Sequence, residues 1–204
     1  MTYFLYVLYG VFISYLGMLA PGMLNMSALK VKLEIGKVQG VKFAFGAAFV
    51  IFIQAGIAVL FADYFVKNPE IIEFLKIAGV FVFFTLSVFF FFLSRKKTNT
   101  ETKVEKGKYF LRGALMSSLN VIAIPFYLAF SIFLTEKGLI VIKQPYIMLY
   151  LFGIFLGAIL LFSTYLYFAK IIAKRVSFIA RNINLILSVL FVVLGIITLI
   201  RLLK

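Results

Sequence analysis

The sequence predicts an all-α integral membrane protein: six transmembrane helices arranged as two inverted three-helix repeats. Three observations predict it. Of 204 residues, 64% are hydrophobic and only 14% charged, with a mean hydropathy of +1.13, whereas a soluble domain is about half apolar and a quarter charged. Six apolar runs each exceed the roughly 18 residues that mark a membrane span. An odd number of spans per half then forces the two halves into the bilayer in opposite directions, the layout of many secondary transporters.

The runs cover residues 3–24, 41–62, 71–93, 109–134, 146–169 and 182–203. The first lacks a basic n-region, is too long for a signal-peptide core, and continues apolar beyond Pro21-Gly22, so it reads as a retained span. Backbone amides in lipid must be paired internally, by a helix or a closed barrel. Stretches such as VFVFFTLSVFFFFL (80–93) are apolar on both parities, which excludes the alternation of barrel strands. The polar segment 94–108 (SRKKTNTETKVEKGK) divides the chain into a first repeat, 1–93, a cytoplasmic linker, and a second repeat, 109–204.

Fifteen of the 21 Lys and Arg fall in the gaps after the first, third and fifth runs or, for Lys42 and Arg112, in the opening residues of the run that follows. The positive-inside rule therefore expects those loops in the cytoplasm and both termini outside, across the plasma (inner) membrane. With no Trp, an interfacial aromatic belt would be built from Tyr3, Tyr64, Tyr109 and Tyr146 at the span ends. The net charge of +14 belongs to these loops, so the bilayer rather than nucleic acid is the expected partner. No Cys and no His leave no disulfide, thiolate, imidazole base or Cys/His metal cage. No metal site and no cofactor are expected, and an intramembrane enzyme is disfavoured.

Shifting the first half by 104 residues brings Pro21 onto Pro125 and 41–62 onto 145–166, although the third span does not keep this register. Pro removes an N–H and disrupts the preceding turn, freeing the carbonyls of Gly17 and Val121. One reading is a pair of kinks with local backbone repair. The other is a solute site beside two interrupted helices, at 21–27 and 117–125. Its candidate residues are Pro21, Gly22, Asn25 and Ser27 in the first half, and Ser117, Asn120 and Pro125 in the second. Gln54, near the middle of the second span, either joins them or bonds two helices together. Gly153-xxx-Gly157 allows close helix approach.

All seven acidic residues (Glu34, Asp63, Glu70, Glu73, Glu101, Glu105, Glu136) lie in loops or at span ends. Without a mid-membrane carboxylate, strongly cationic solutes and divalent metals are disfavoured. Asp63, then Glu34, are the candidates for coupling transport to an ion, with the proton as the expected one.

The run APGMLNMSALKVKLEIGKVQGVKFAFGAA resembles the lysine-exporter (LysE/RhtB-type) family of amino-acid exporters. Pro21-Gly22 resembles the opening of a Pro-Gly-Pro-Asn-like motif at the end of the first span, and Gly36-Lys37-Val38-Gln39-Gly40 the Gly-basic-x-x-Gly segment that comes after it. Arg112-Gly113-Ala114-Leu115, leading to Asn120, resembles a second family motif. Met23-Leu24 stands where Pro-Asn is usual, and Asn120-Val121-Ile122 where Asn-Pro-Lys is usual. The resemblance implies export of amino acids or related metabolites, driven by an ion gradient.

These readings together predict a secondary active exporter of small neutral or zwitterionic metabolites, amino acids or their derivatives foremost, working by alternating access. Its partners are a small-molecule substrate, a coupling ion and lipid, with homo-oligomerisation left open. The alternative is a non-transporting membrane scaffold or assembly subunit.

Overall fold

The computed structural model describes residues 2–68, 107–120, 122–175 and 177–202, with isolated helical positions between 71 and 95. Secondary structure among them is helical: α1 (Thr2–Gly17), α2 (Met23–Glu34), α3 (Lys37–Lys67), α4 (Tyr109–Ser118), α5 (Ala123–Glu136), α6 (Tyr146–Tyr167), α7 (Ala169–Arg175) and α8 (Ser177–Leu202). α3 and α6 are each long and apolar enough to cross a membrane, and α4 with α5 form a third candidate span bent by 66°. α1 is a shorter apolar helix, and so is the stretch Ser188–Ile200 within α8. Most of the third expected span, 71–93, lies outside the described residues, as does the linker expected at 94–108 apart from Arg95, Gly107 and Lys108.

The chain divides into two compact units, Met1–Val66 with Val104–Arg175, and Lys67–Lys103 with Val176–Lys204. Each unit draws on both halves of the sequence.

In the first unit, α3 shows what a membrane helix must do. Lipid tails are as apolar as leucine, so helices associate by close packing rather than by hiding apolar surface from water. Ala44, Ala47, Ala48, Ala55, Ala58 and Ala62 form its buried face, at helical spacing. Phe45, Phe49, Ile53, Leu60 and Phe61 lie exposed on the opposite side. Small residues inward and large apolar ones outward reverse the soluble pattern.

Glycines set two helix crossings. A Cβ on Gly46 would lie 1.9 Å from the Phe110 carbonyl oxygen, and one on Gly113 2.0 Å from that of Phe43, so α3 and α4 touch backbone to backbone. α1 meets α6 in the same way, where a Cβ on Gly153 would lie 2.3 Å from the Val7 oxygen and one on Gly157 2.5 Å from that of Val11. Val7 faces Gly153, Val11 faces Gly157 and Tyr15 reaches Thr164, so α1 and α6 are parallel; α3 and α4 cross at Gly46 and Gly113, and beyond the crossing Gln54 reaches Ser117, so they too run the same way. Each pair joins one helix from either half of the sequence.

The segment Gly36–Gly40 has a geometric task. Gly36, at φ +142°, makes the tight link from α2 to α3. A Cβ on Gly40 would press on Lys32 and Leu166. Lys32 Nζ donates to the Leu166 carbonyl, placing a cation on the negative C-terminal end of α6. Of the expected tyrosine belt, Tyr3 and Tyr64 are exposed, whereas Tyr109, the first residue of α4, is buried.

In the second unit, Ser87 Oγ donates to the Ser188 carbonyl at 3.0 Å, and the Phe84 ring approaches Gly195. The Arg95 guanidinium stands 4.5 Å over the Phe91 ring.

Candidate functional site

Both expected helix interruptions are present, the first around Pro21 and the second ahead of Pro125. The first spans residues 18–22 rather than 21–27. Pro21 cannot donate to the Gly17 carbonyl, and the residue before a proline is pushed out of the α region, so α1 stops four residues early. Asn25 and Ser27 consequently lie in the opening turns of α2, not in the break.

The carbonyls this break exposes are claimed by side chains. Asn25 Nδ2 donates to the Met18 oxygen at 2.7 Å and to the Ala20 oxygen at 3.0 Å. The Tyr165 hydroxyl, on α6, donates to the Leu19 oxygen at 2.8 Å. Gly22 is extended at φ −89°, and a Cβ there would meet nothing closer than 4.0 Å. The first break is splinted.

The second break spans 119–122. Asn120 N–H donates to Ser117 O and Ala123 N–H to Asn120 O, the tight bonds of a helix ending and restarting. Pro125 is the third residue of α5, where its missing N–H costs little, and it is exposed. From α3, Gln54 Nε2 donates to the Ser117 oxygen at 3.1 Å and makes a longer contact of 3.5 Å with the Asn120 oxygen. Gln54 is thus the interhelical tie that its mid-span position allowed, and it is tied to the second break.

Beside this break lies a cavity of about 80 Å³. The end of α1 (Gly17, Met18) and Ile51 of α3 form part of its wall. The rest comes from Asn120 and Ile122 of the break and from Ala123, Phe126 and Tyr127 of α5. None of these residues carries a charge. Among the described residues, three buried polar atoms have no hydrogen-bond partner: Asn25 Oδ1, Gln54 Oε1 and Ser117 Oγ. Ser117 is fully buried and Gln54 is 6% exposed.

Ser117, Asn120 and Gln54 are therefore brought together, and Asn25 joins them through Met18, whose carbonyl it holds and which walls the cavity. Of the expected site residues Asn120 alone lines the cavity; Pro21, Gly22, Asn25, Ser27, Gln54, Ser117 and Pro125 are not among its lining residues. Glu34 closes α2, partly exposed, with its carboxylate 3.7 Å from Lys30 Nζ. Asp63 lies nine residues beyond Gln54 on α3, roughly 14 Å along the axis. Glu70, Glu73, Glu101 and Glu105 fall outside the described residues. Among the described residues no group of acidic side chains is placed to hold a metal ion.

Sequence reasoning missed a buried row of hydroxyls. Ser14 Oγ of α1 and the Tyr127 hydroxyl of α5 are 3.0 Å apart. One turn on, Ser131 Oγ donates to the Tyr150 hydroxyl of α6 at 3.4 Å. The signal was available: Tyr127 and Tyr150 lie inside their spans rather than at the ends, and a buried phenol needs a partner. Ser131 stands four residues from Tyr127, on the same helix face.

A helical membrane protein with two interrupted helices, one facing a small uncharged cavity, has the construction of many secondary transporters. The chain belongs to the LysE type translocator family, whose description matches residues 15–202. It is a membrane transport protein. No curated protein and no solved structure matches it.

Proposed function

We propose that this translocator is a secondary active exporter of small neutral or zwitterionic metabolites, amino acids or their derivatives, in the plasma membrane, with both termini outside. The observation that carries the reading is the second break. Asn120, Ile122 and Ala123 at the two helix ends line a cavity that has no charge in its wall, and the orphaned Gln54 Oε1 and Ser117 Oγ are buried at the same break, outside that lining. Gln54, Ser117 and Asn120 contact the solute. Asn25 braces the opposing break, Pro21 and Gly22 shape it, Ser27 follows it in α2, and Pro125 stands in the first turn of α5.

Alternating access, by two inverted repeats, is supported by the two parallel helix pairs, α1 with α6 and α3 with α4, each built from one helix of either half. Oppositely inserted triplets require that kind of parallel pairing. The cavity is smaller than the roughly 300–1,000 Å³ of most ligand clefts, so a whole amino acid enters only when the helices around the break separate. The coupling ion in this reading is the proton. Asp63, on the same helix as Gln54, is its carrier, whereas Glu34 sits in an exposed pair with Lys30 at the end of α2.

The test is efflux of labelled amino acids from proteoliposomes holding the purified protein, with and without an imposed proton gradient. Gradient-stimulated efflux above protein-free vesicles is expected. A broad panel that shows no difference from those vesicles, together with a partner that co-purifies, would favour the scaffold reading instead.

A further inference from the structure

Three stretches far apart in sequence meet at one corner of the first unit. α2 ends, α3 begins and α6 ends there: a Cβ on Gly40 would lie 2.9 Å from Lys32 Cβ and 3.1 Å from Leu166 Cδ2, and Lys32 Nζ donates to the Leu166 carbonyl. α7 leaves the same corner, since only Phe168 separates it from α6. Ala169 is buried in one cluster with Leu29 of α2, and Ile172 and Ala173 pack half-buried against that cluster. One face of α7 is therefore fixed on the protein.

What the corner turns outward is cationic and apolar together. Lys37, Lys42 and Lys170 are exposed, and among the described residues none of the three is paired with a carboxylate. Lys37 stands one turn before Gly40 and Lys170 one turn beyond Leu166, so both flank the corner. Residues 23–47 and 165–175 together hold seven Lys and Arg against one acid, Glu34, which pairs with Lys30. Tyr167 is 80% exposed, and Phe168 and Ile171, on either side of Lys170, are 44% and 55% exposed. Tyr167 is the last residue of α6, a helix long and apolar enough to cross a membrane. Cations and exposed apolar groups thus meet at the level where a bilayer changes from acyl chains to headgroups.

We propose that this corner binds an anionic phospholipid, its phosphate between Lys37 and Lys170 and its acyl chains against Tyr167, Phe168 and Ile171. A zwitterionic headgroup carries its own cation, which would meet the same lysines and cancel the attraction. An anionic headgroup carries a phosphate with no such cation, and each Lys close to it adds to the binding. Lys32 is committed to the Leu166 carbonyl and holds the corner together, while Lys42, two residues past Gly40, adds to the positive field. A soluble acidic protein would answer the lysines alone, whereas a phospholipid answers the lysines and the apolar side chains in one molecule. The site is a lipid contact and does not depend on the exporter reading.

The chain contains no Trp, so Tyr167→Trp, at an exposed position, places a single fluorophore beside the site. The full-length protein is reconstituted in phosphatidylcholine vesicles that hold a minor fraction of either brominated phosphatidylglycerol or brominated phosphatidylcholine, and quenching by the two is compared. The phosphatidylglycerol is expected to quench as if bound at least about threefold more tightly than the phosphatidylcholine. Lys37→Gln with Lys170→Gln, in the same Tyr167→Trp protein, should bring that ratio to about one. Lys137→Gln with Lys143→Gln removes the same charge from exposed positions between α5 and α6, at the other end of α6, and should leave the ratio unchanged. Equal quenching by the two lipids in the Tyr167→Trp protein overturns the site. So does a preference that survives the loss of both Lys37 and Lys170. A preference that the Lys137 and Lys143 pair also abolishes belongs to net charge rather than to this corner, and overturns the site as well. Should the Lys37 and Lys170 pair not fold, Lys170→Gln alone decides: a ratio at least halved supports the site, and an unchanged one overturns it.

Discussion

Replacing Asn25 by leucine, which has nearly the same shape, tests whether this residue holds the first break together. Asn25 Nδ2 makes two hydrogen bonds, 2.7 Å to the Met18 carbonyl and 3.0 Å to that of Ala20. A side-chain hydrogen bond inside a membrane protein is worth about 0.6 kcal/mol on average, with a maximum near 1.7. The two bonds are not equally costly to lose. Ala20 is exposed, so its carbonyl can find another donor where water reaches it, whereas Met18 is half-buried against the cavity and its carbonyl has fewer replacements. Leucine also removes Oδ1, itself buried without a partner, which returns part of the loss. The expected net destabilisation is about 1–2 kcal/mol. Thermal unfolding of the purified protein in detergent would show it as a midpoint lowered by several degrees, on the order of 2–4 °C per kcal/mol for a chain of this length. Ser27→Ala, on the same helix but half-buried, is the control and should move the midpoint by less than about 1 °C. Asn25→Asp should be worse than Asn25→Leu, because a carboxylate would face two carbonyls. An Asn25→Leu protein with the wild-type midpoint and diminished flux would refute the splint and return Asn25 to the role of a solute ligand.

Gly46→Ala and Gly113→Ala should each lower the unfolding midpoint by the equivalent of about 1–3 kcal/mol or abolish folding, since the new Cβ would sit about 2 Å from a carbonyl oxygen of the facing backbone. Gly56→Ala, whose Cβ would meet only Leu151 at 3.8 Å, should be close to neutral in the same assay. Tyr127→Phe deletes the 3.0 Å bond to Ser14, but serine can turn to the carbonyl one helical turn before it. Its stability loss should stay near 0.6 kcal/mol, while solute flux falls several-fold because Tyr127 is one of the residues that line the cavity. Asp63→Asn should abolish the response of efflux to an imposed pH gradient and spare exchange of labelled for unlabelled solute at equal pH. Glu34→Gln, which breaks only a partly exposed pair with Lys30, should leave both assays near wild type.

How much of this was legible in the sequence depends on the length scale of the cause. Spans two and five follow from composition alone, and α3 and α6 occupy them. The two interruptions follow from backbone chemistry, since Pro21 and Pro125 each remove a donor. The position of each break does not, because it is settled by which neighbour supplies hydrogen bonds. α1 stops at Gly17 where Asn25 and Tyr165 reach the carbonyls beyond it, and Tyr165 is 146 residues away from Leu19. Gly153 and Gly157 were readable as a contact surface, but that surface faces α1, which no local pattern announces.

Translated to equivalent positions, the two halves look alike: a proline, an asparagine and a serine beside a broken span. The structure makes them unlike. In the first half the asparagine sits inside the second helix of the pair, turns back on the break and, with Tyr165, occupies three successive carbonyls. In the second half Asn120 sits in the break itself, and the tie comes from outside, from Gln54 on α3, which holds the carbonyls of Ser117 and Asn120 and leaves its own oxygen and the Ser117 hydroxyl unmatched. A break whose successive carbonyls are already filled by side chains is a brace, although Asn25 Oδ1 itself stays unmatched. One that is held by a neighbouring helix and retains unmatched polar atoms can exchange protein partners for a solute's when the helices move. The same three residue types therefore serve two purposes, and the difference lies in whether the asparagine falls before or after the helix restarts.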